Sequence, residues 1–284
     1  MKITSLLDEA THRLQKAGIE EYTLDARLLL QFVTHWSRSE LFLACDKTIE
    51  PATCDEFLSL IDQRCQRIPL HYITGVREFW SLDFHVSPSV LVPRSETEFL
   101  LDHVLARLEI RPGPFRAMDM CTGSGVIAVV LALELGCTVT AIDISPLALT
   151  VAAQNIARHN CEHLVQLAAS DFFSALQHSA RFDLIVCNPP YIPDNDIPAL
   201  QPEVSQFEPM LALAGGSTGL DCIKQVIYQA KKHLTHGGCI FFEIGADQGQ
   251  HVIELFRAAG DYKEIAIVPD WSGRDRIAKA CFCG

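Results

Sequence analysis

Basic residues are scarce in this chain: 23 Lys and Arg stand against 35 Asp and Glu, for a formal net charge of −12. That balance argues against a broad phosphate-binding surface, and so against naked nucleic acid as the main partner. A protein partner with a basic contact face is easier to accommodate. Uncharged apolar runs of membrane-spanning length are absent, so no membrane segment is expected. No secretory leader is expected, because Lys2 and polar residues precede any long apolar segment. Low-complexity tracts and internal repeats are missing. Metal-ligand clusters are missing too. Cys281-Phe282-Cys283 has no second cysteine pair or nearby histidine set, so no metal is expected.

What is present is a globular composition, 49% hydrophobic and 20% charged over 284 residues, long enough for two domains. The 11 cysteines are an odd number scattered through apolar runs. Cys187 and Cys239 fall inside expected strands, where buried thiols are common. The pattern reads as a reducing, cytoplasmic setting.

Three regions follow from periodicity. Residues 1–68 read as a helical domain, with Leu6, Leu7, Ala10 and Leu14 at helical spacing and further runs at 24–33, 39–44 and 54–68. It holds no convincing nucleophile or phosphate loop, and suits either packing or recognition of a macromolecular substrate. Residues 69–93 read as a hairpin or short strands linking two domains, starting from His71-Tyr72-Ile73-Thr74-Gly75. Residues 94–284 form the second domain. A helix is expected over 97–108, and past Gly113 the pattern becomes α/β. Strands are expected at 117–120, 139–142, 164–168, 182–187 and 239–244, and helices at 126–135, 146–159, 220–234 and 250–259. Segments 262–269 and 277–282 would pair as a terminal hairpin. Repeated strand–helix units imply a mainly parallel sheet covered on both faces.

Two motifs carry chemistry. Asn188-Pro189-Pro190-Tyr191 follows a buried strand. An amide donor and acceptor, two rigid imino acids and an aromatic face suit a slot for a planar nitrogen nucleophile, either a nucleobase amine or a side-chain amide. The plain alternative is a proline-rich loop capping a strand. Upstream, Asp119-Met120-Cys121-Thr122-Gly123-Ser124-Gly125 joins a strand to a helix, with Gly123 and Gly125 allowing close backbone approach to a ligand. Asp143 ends the next strand, where a carboxylate can accept from both ribose hydroxyls or simply cap the following helix. Asp171 and Phe172 follow the third strand, placed to accept from an adenine amine and to stack on its ring. A dinucleotide oxidoreductase shares this outline, but it has no use for the Asn188–Tyr191 slot. S-adenosylmethionine is therefore the expected cofactor.

Taken together with Gly75-Val76-Arg77-Glu78-Phe79-Trp80, Val92-Pro93-Arg94-Ser95-Glu96-Thr97-Glu98, Phe207-Glu208-Pro209 and Glu243-Ile244-Gly245, these motifs resemble the HemK/PrmC family of protein-(glutamine-N5) methyltransferases. Gln248-Gly249 and Asp275-Arg276 fit as well, so the resemblance covers essentially the whole chain. It implies a class I, Rossmann-like methyltransferase domain with an N-terminal helical bundle that helps engage peptide chain release factors. It also implies methyl transfer to the glutamine of their Gly-Gly-Gln loop, leaving S-adenosylhomocysteine. Cys121 stands where many relatives carry glycine, and its Cβ would tighten the approach to the methionine moiety.

On that reading Asn188 and the Pro189 carbonyl accept from the two amide protons, Pro190 and Tyr191 form the walls, and Asn188 also borders the cofactor. Asp119, Cys121, Thr122, Gly123, Ser124, Gly125, Asp143, Asp171 and Phe172 complete the cofactor side. Arg94 and Glu98 either close the cofactor side, brace the domain junction or form a surface ion pair. Glu243 either organises the site or makes a core hydrogen bond. His71 and His85 are expected to be structural. A monomer is expected. The competing readings are a ribosomal-protein glutamine methyltransferase, a nucleic-acid adenine-N6 methyltransferase and a non-catalytic cofactor-binding scaffold.

Overall fold

The computed structural model describes residues 1–108 and 115–284. Gly113, where the sequence pattern changes, lies outside the described residues. The chain divides into two compact units. One comprises Met1–Val76 with Gln201–Phe207, and the other Arg77–Leu200 with Glu208–Gly284.

The first unit is helical: α1 (Ile3–Lys16), α2 (Tyr22–Thr34), α3 (Arg38–Leu43), α4 (Pro51–Cys65) and α5 (Leu70–Thr74). Its core is a helical stripe at work. Leu6, Ala10 and Leu14 of α1 meet Leu29 and Leu30 of α2 and Phe57 and Ile61 of α4. Ser37 opens α3 with a reciprocal capping box to Glu40. Two expectations need correction. The fourth helix starts earlier and ends sooner than 54–68, because Pro51 fits the first helical turn and Arg67 turns left-handed at φ 69°. His71 to Thr74 is helical rather than extended. The Pro69 carbonyl accepts from the Tyr72 and Ile73 amides, and Gly75 stops the turn at φ 73°.

A two-stranded hairpin follows, β1 (Val76–Phe79) and β2 (Leu82–His85), which belongs to the second unit from Arg77 onward, and then α6 (Ser95–Leu108). Then come β3 (Arg116–Met120), α7 (Val126–Leu135), β4 (Thr138–Asp143), α8 (Pro146–Arg158), β5 (Val165–Ala169) and β6 (Phe182–Cys187). The chain next forms α9 (Pro202–Phe207), which groups with the first unit. It finishes with α10 (Asp221–Ala230), β7 (Leu234–Glu243), α11 (Gly249–Ala259), β8 (Tyr262–Pro269) and β9 (Asp275–Phe282).

The seven-stranded sheet runs β5-β4-β3-β6-β7-β9-β8. Strands β3 to β7 are parallel, and β8 and β9 close the edge antiparallel, as the sequence pattern anticipates. Strand periodicity of two divides the core. Leu184 and Val186 of β6 face a cluster containing α7, whereas Ile185 and Cys187 face a cluster containing α10 and α11. Between β3 and β6 the strand order reverses, and the carboxyl ends of parallel strands there form a crevice suited to ligands.

Helix α10 stops at Ala230, short of the expected 234. Leu234 already pairs with Phe182 as the start of β7, and the ladder slips before resuming at Leu184 and Cys239. Gly237, at φ 74°, lies in that irregular stretch. Cys239 is not a buried thiol: it faces Cys281 across the β7–β9 ladder, and the two are joined as a disulfide. The antiparallel register brings their Cα atoms to 4.1 Å. Among the described residues, no helix is long and apolar enough to cross a membrane.

In the helical unit Arg64 lies between two carboxylates, 2.7 Å from Asp25 and 2.8 Å from Glu203. Arg67 adds a 2.5 Å contact to Glu203. Burial raises the Asp25 pKa despite its arginine partner. Removing the guanidinium would strand buried Asp25 and leave Glu203 with Arg67 alone. Arg64→Ala is expected to destabilise this unit by about 3–5 kcal/mol, read from chemical denaturation. An unchanged midpoint would show that the cluster is not structural.

Candidate active site

The turn leaving β3 is held from below. Asp119 is fully buried, and its Oδ2 accepts from the Thr122 hydroxyl at 2.5 Å and from the Ala128 amide at 3.0 Å. The Thr122 amide donates to the Ile142 carbonyl at 2.9 Å, tying the turn to β4. Cys121, Gly123 and Gly125 all take positive φ, at 62°, 55° and 83°. The two glycines do different things. A Cβ on Gly123 would meet nothing within 4 Å, so space lies open above it. A Cβ on Gly125 would lie 3.1 Å from the Ala152 Cβ, so that glycine permits close packing of α7 on α8. Buried Asn155 adds a brace the sequence did not advertise. Its Nδ2 donates to the Ser124 and His85 carbonyls, and its Oδ1 accepts from the His85 amide. These bonds use only the His85 backbone. His71 is engaged locally, its Nδ1 lying 3.0 Å from the Val76 carbonyl.

Above this turn lies a cavity of about 290 Å³. Cys121, Thr122, Gly123, Ser124, Asp143, Asp171, Phe172 and Asn188 all lie on its wall, so most of the expected cofactor residues converge. Asp119 and Gly125 do not line it, and they shape the turn from behind. Asp143 accepts from the Gly123 amide and from the Ser145 amide, each at 2.9 Å, and burial raises its pKa. Ser145 itself caps α8 by accepting from the Ala148 amide at 3.2 Å. The capping role is therefore filled by the neighbour, which leaves Asp143 facing the cavity. Cys121 shares this wall with Cys222 and adjoins buried Cys187. Burial keeps the Cys187 thiol protonated and pushes Cys222 up to about 12.

On the other side, Asn188 and Pro190 reach the wall, whereas Pro189 and Tyr191 do not. Tyr191 packs against the core, and its hydroxyl donates to Glu243 Oε1 at 3.0 Å. Burial and the adjacent Glu243 raise its pKa strongly. The other Glu243 oxygen accepts from the Thr97 hydroxyl at 2.7 Å, and Thr97 Oγ1 accepts from Asn188 Nδ2 at 3.0 Å. Gln248 secures the turn by donating to the Tyr191 carbonyl at 2.8 Å. A Cβ on Gly219 would lie 2.2 Å from that carbonyl oxygen, so only glycine fits there.

Arg94 and Glu98 do not pair with each other. Arg94 grips Glu208 with Nη2–O distances of 2.8 and 2.7 Å, and Glu208 leads into Pro209, Leu211, Ala212 and Ala214 on the cavity wall. Glu98 accepts from the Trp80 amide at 2.6 Å and braces the β1–β2 turn. Among the described residues, no group of three or more His, Cys, Asp or Glu is arranged to hold a metal ion. Thr97 went unnoticed as a site residue because a threonine in the first turn of a helix carries no special signal.

A reversed-order parallel sheet with an antiparallel edge, a glycine turn after its first strand and an acidic residue ending the second define a class I methyltransferase domain of the S-adenosylmethionine-dependent type. Solved structures agree on the fold. The hMettl16 catalytic domain, bound to a MAT2A 3'UTR hairpin, aligns with TM-score 0.60 at 16% identity over 91% of each chain. The T. thermophilus 16S rRNA N2 G1207 methyltransferase, bound to AdoMet and guanosine, aligns with TM-score 0.54 at 20% identity, over 73% of this chain and 49% of that one.

Residues 5–75 match the PrmC N-terminal domain, and residues 95–201 match the Methyltransferase small domain. The release factor glutamine methyltransferase of Moorella thermoacetica is 41% identical over 277 residues, 97% of each chain. That of Koribacter versatilis is 38% identical over 278 residues, 98% of this chain and 97% of its own. The chain belongs to the release factor glutamine methyltransferase family.

Burial pushes Asp119 up to about 7, against the hydrogen bonds from Thr122 and Ala128. Between the ordinary carboxylate value and 7 the folded state then holds a proton the unfolded chain has lost. This contribution to stability is present at low pH and is lost as pH rises through 7. Asp119→Asn cannot titrate, so its melting temperature is expected to fall less than that of the parent between pH 5 and pH 8. Parallel curves would remove Asp119 from the pH dependence.

Proposed function

We propose that this chain transfers the methyl group of S-adenosylmethionine to the side-chain amide nitrogen of the glutamine in the Gly-Gly-Gln loop of peptide chain release factors. The observation that carries the reading is Asn188. It borders the same cavity as Gly123, Asp143 and Phe172, and its Nδ2 is already held by Thr97. An acceptor oxygen is thereby left for a planar amine beside a cofactor wall. The family named above supports the choice of acceptor.

The residues present fit the cofactor. Open space over Gly123 admits close approach of a ligand to backbone, and Asp143 offers a carboxylate to ribose hydroxyls. Asp171 would accept from the adenine amine, and Phe172 would cover its ring. Bound there, S-adenosylmethionine supplies a methyl group activated by its sulfonium charge. The protein's work is on the nucleophile. An amide nitrogen is poor because its lone pair is delocalised, so position and electrostatics must supply the drive. Asn188 Oδ1, on the cavity wall, accepts an amide proton and favours growing positive character on that nitrogen. Pro190 holds the acceptor plane, and Tyr191 braces the turn from behind. A proton leaves after transfer, so no carboxylate base is needed beforehand. The helical unit engages the release factor, and the chain acts as a monomer.

Labelled S-adenosylmethionine offered with release factor, ribosomal protein or DNA tests the reading. Label is expected on the release factor, and it should vanish when alanine replaces the Gly-Gly-Gln glutamine. Asn188→Ala is expected to lower kcat by at least about a hundredfold, the scale of one lost transition-state contact. Label on another acceptor, or full turnover by Asn188→Ala, would overturn the assignment.

A further inference from the structure

An asparagine side chain has two nearly isosteric ends, an oxygen that accepts and an NH₂ that donates. Only one of them suits an incoming glutamine amine. With oxygen toward the cavity, Asn188 receives an N–H from the substrate. Rotated by half a turn, it would set amine against amine. On the reading above, that the acceptor is a carboxamide, some part of the protein must choose between these orientations.

The choice can be followed proton by proton. Glu243 ends β7 and is buried at 1% exposure. Its two oxygens receive the Tyr191 hydroxyl at 3.0 Å and the Thr97 hydroxyl at 2.7 Å. A threonine hydroxyl has one proton. Donated to Glu243, that proton leaves only lone pairs directed at Asn188. Asn188 therefore presents Nδ2 to Thr97, at 3.0 Å, and turns Oδ1 the other way. We propose that Glu243 and Thr97 are positioning residues that set the polarity of Asn188 through this one-way chain of hydrogen bonds.

The chain reverses if the group at position 243 becomes a donor. Thr97 then accepts from it and donates to Asn188 Oδ1, and the Asn188 amine swings toward the substrate. The charged surroundings are mixed. Burial raises the Glu243 pKa, the Thr97 and Tyr191 hydroxyls and Arg276 of β9 lower it, and Glu96 of α6 raises it. Tyr191 keeps its proton and remains a donor. Protonation of Glu243 as pH falls should therefore slow transfer on the acid side.

The test uses the full chain with S-adenosylmethionine and intact release factor. Values of kcat and KM are measured for Thr97→Val, Thr97→Ser and Glu243→Gln, each with Asn188 present and with Asn188→Ala. Thr97→Val and Glu243→Gln are expected to lower kcat about tenfold, the scale of one buried hydrogen bond. Thr97→Ser keeps the hydroxyl and should recover most of the rate. Glu243→Gln should also lose the acid limb of the pH profile. With Asn188→Ala, the same two substitutions should add less than about twofold, because no amide remains to orient. Calorimetric affinity for S-adenosylhomocysteine within about threefold of the parent shows that the cofactor wall is intact. Wild-type kcat in Thr97→Val, or an equal loss with and without Asn188, would overturn the proposal. A second readout needs no acceptor: the Asn188 side-chain amide protons, assigned by ¹⁵N correlation spectra against Asn188→Ala. They should exchange slowly in the parent and quickly in Thr97→Val, and fast exchange in the parent would overturn the chain. A parent enzyme that labels no release factor would instead overturn the proposed substrate, and the exchange measurement would still decide the role of Thr97.

Discussion

The acceptor side of this molecule depends on one buried carboxylate. A charged oxygen pair shut away from solvent is tolerated only when hydrogen-bonded. Glu243 meets that demand with the hydroxyls of Tyr191 and Thr97, drawn from the turn after β6 and the first turn of α6. Neither hydroxyl can rotate away without leaving the carboxylate short of a donor, at a cost of roughly 1–3 kcal/mol. The requirement therefore locks Tyr191 against the core, and through Thr97 it locks Asn188. A group that never reaches the cavity controls the one that does. Preorganisation of this kind lets a weak nucleophile meet fixed acceptors rather than ones that must reorient during transfer.

The cofactor side repeats the device with a different outcome. Asp119 sits wholly inside, and it gathers the Thr122 hydroxyl and the Ala128 amide to fold the glycine turn. Asp143, one strand over, uses the Gly123 and Ser145 amides to stay on the wall. The first builds the surface, and the second belongs to it. Arg94 adds a third anchor by holding Glu208, from which the apolar segment Pro209 to Ala214 continues along the cavity. These anchors lie at the carboxyl ends of the strands or in the segments beside them, where the reversal of strand order opens a crevice.

Much of this was legible in the residues. The two motifs, their place at strand ends and the parallel sheet follow from apolar periodicity and from glycine and proline positions. So do the helix Val126–Leu135 and the terminal hairpin. The misreadings have local causes. Alternating residues from His71 to Thr74 mimic a strand, yet Pro69 and Gly75 frame a single helical turn. The apolar stripe of α10 runs on in sequence through Leu234, although that residue already pairs with β6. Cys239 and Cys281 look like scattered thiols until the β7–β9 register sets them face to face. Thr97 and Asn155 gave no signal because their roles depend on partners distant in sequence. A motif search finds the residue that touches the ligand more readily than the one that orients it.

The central claim is that Asn188 offers oxygen, and not nitrogen, to a substrate carboxamide. It is tested most directly by a crystal structure of the full chain with S-adenosylhomocysteine and release factor. The account predicts the glutamine amide nitrogen about 3 Å from Asn188 Oδ1, with Asn188 Nδ2 still on Thr97. A glutamine held elsewhere in the cavity, or an Asn188 whose amine faces it, would contradict the account.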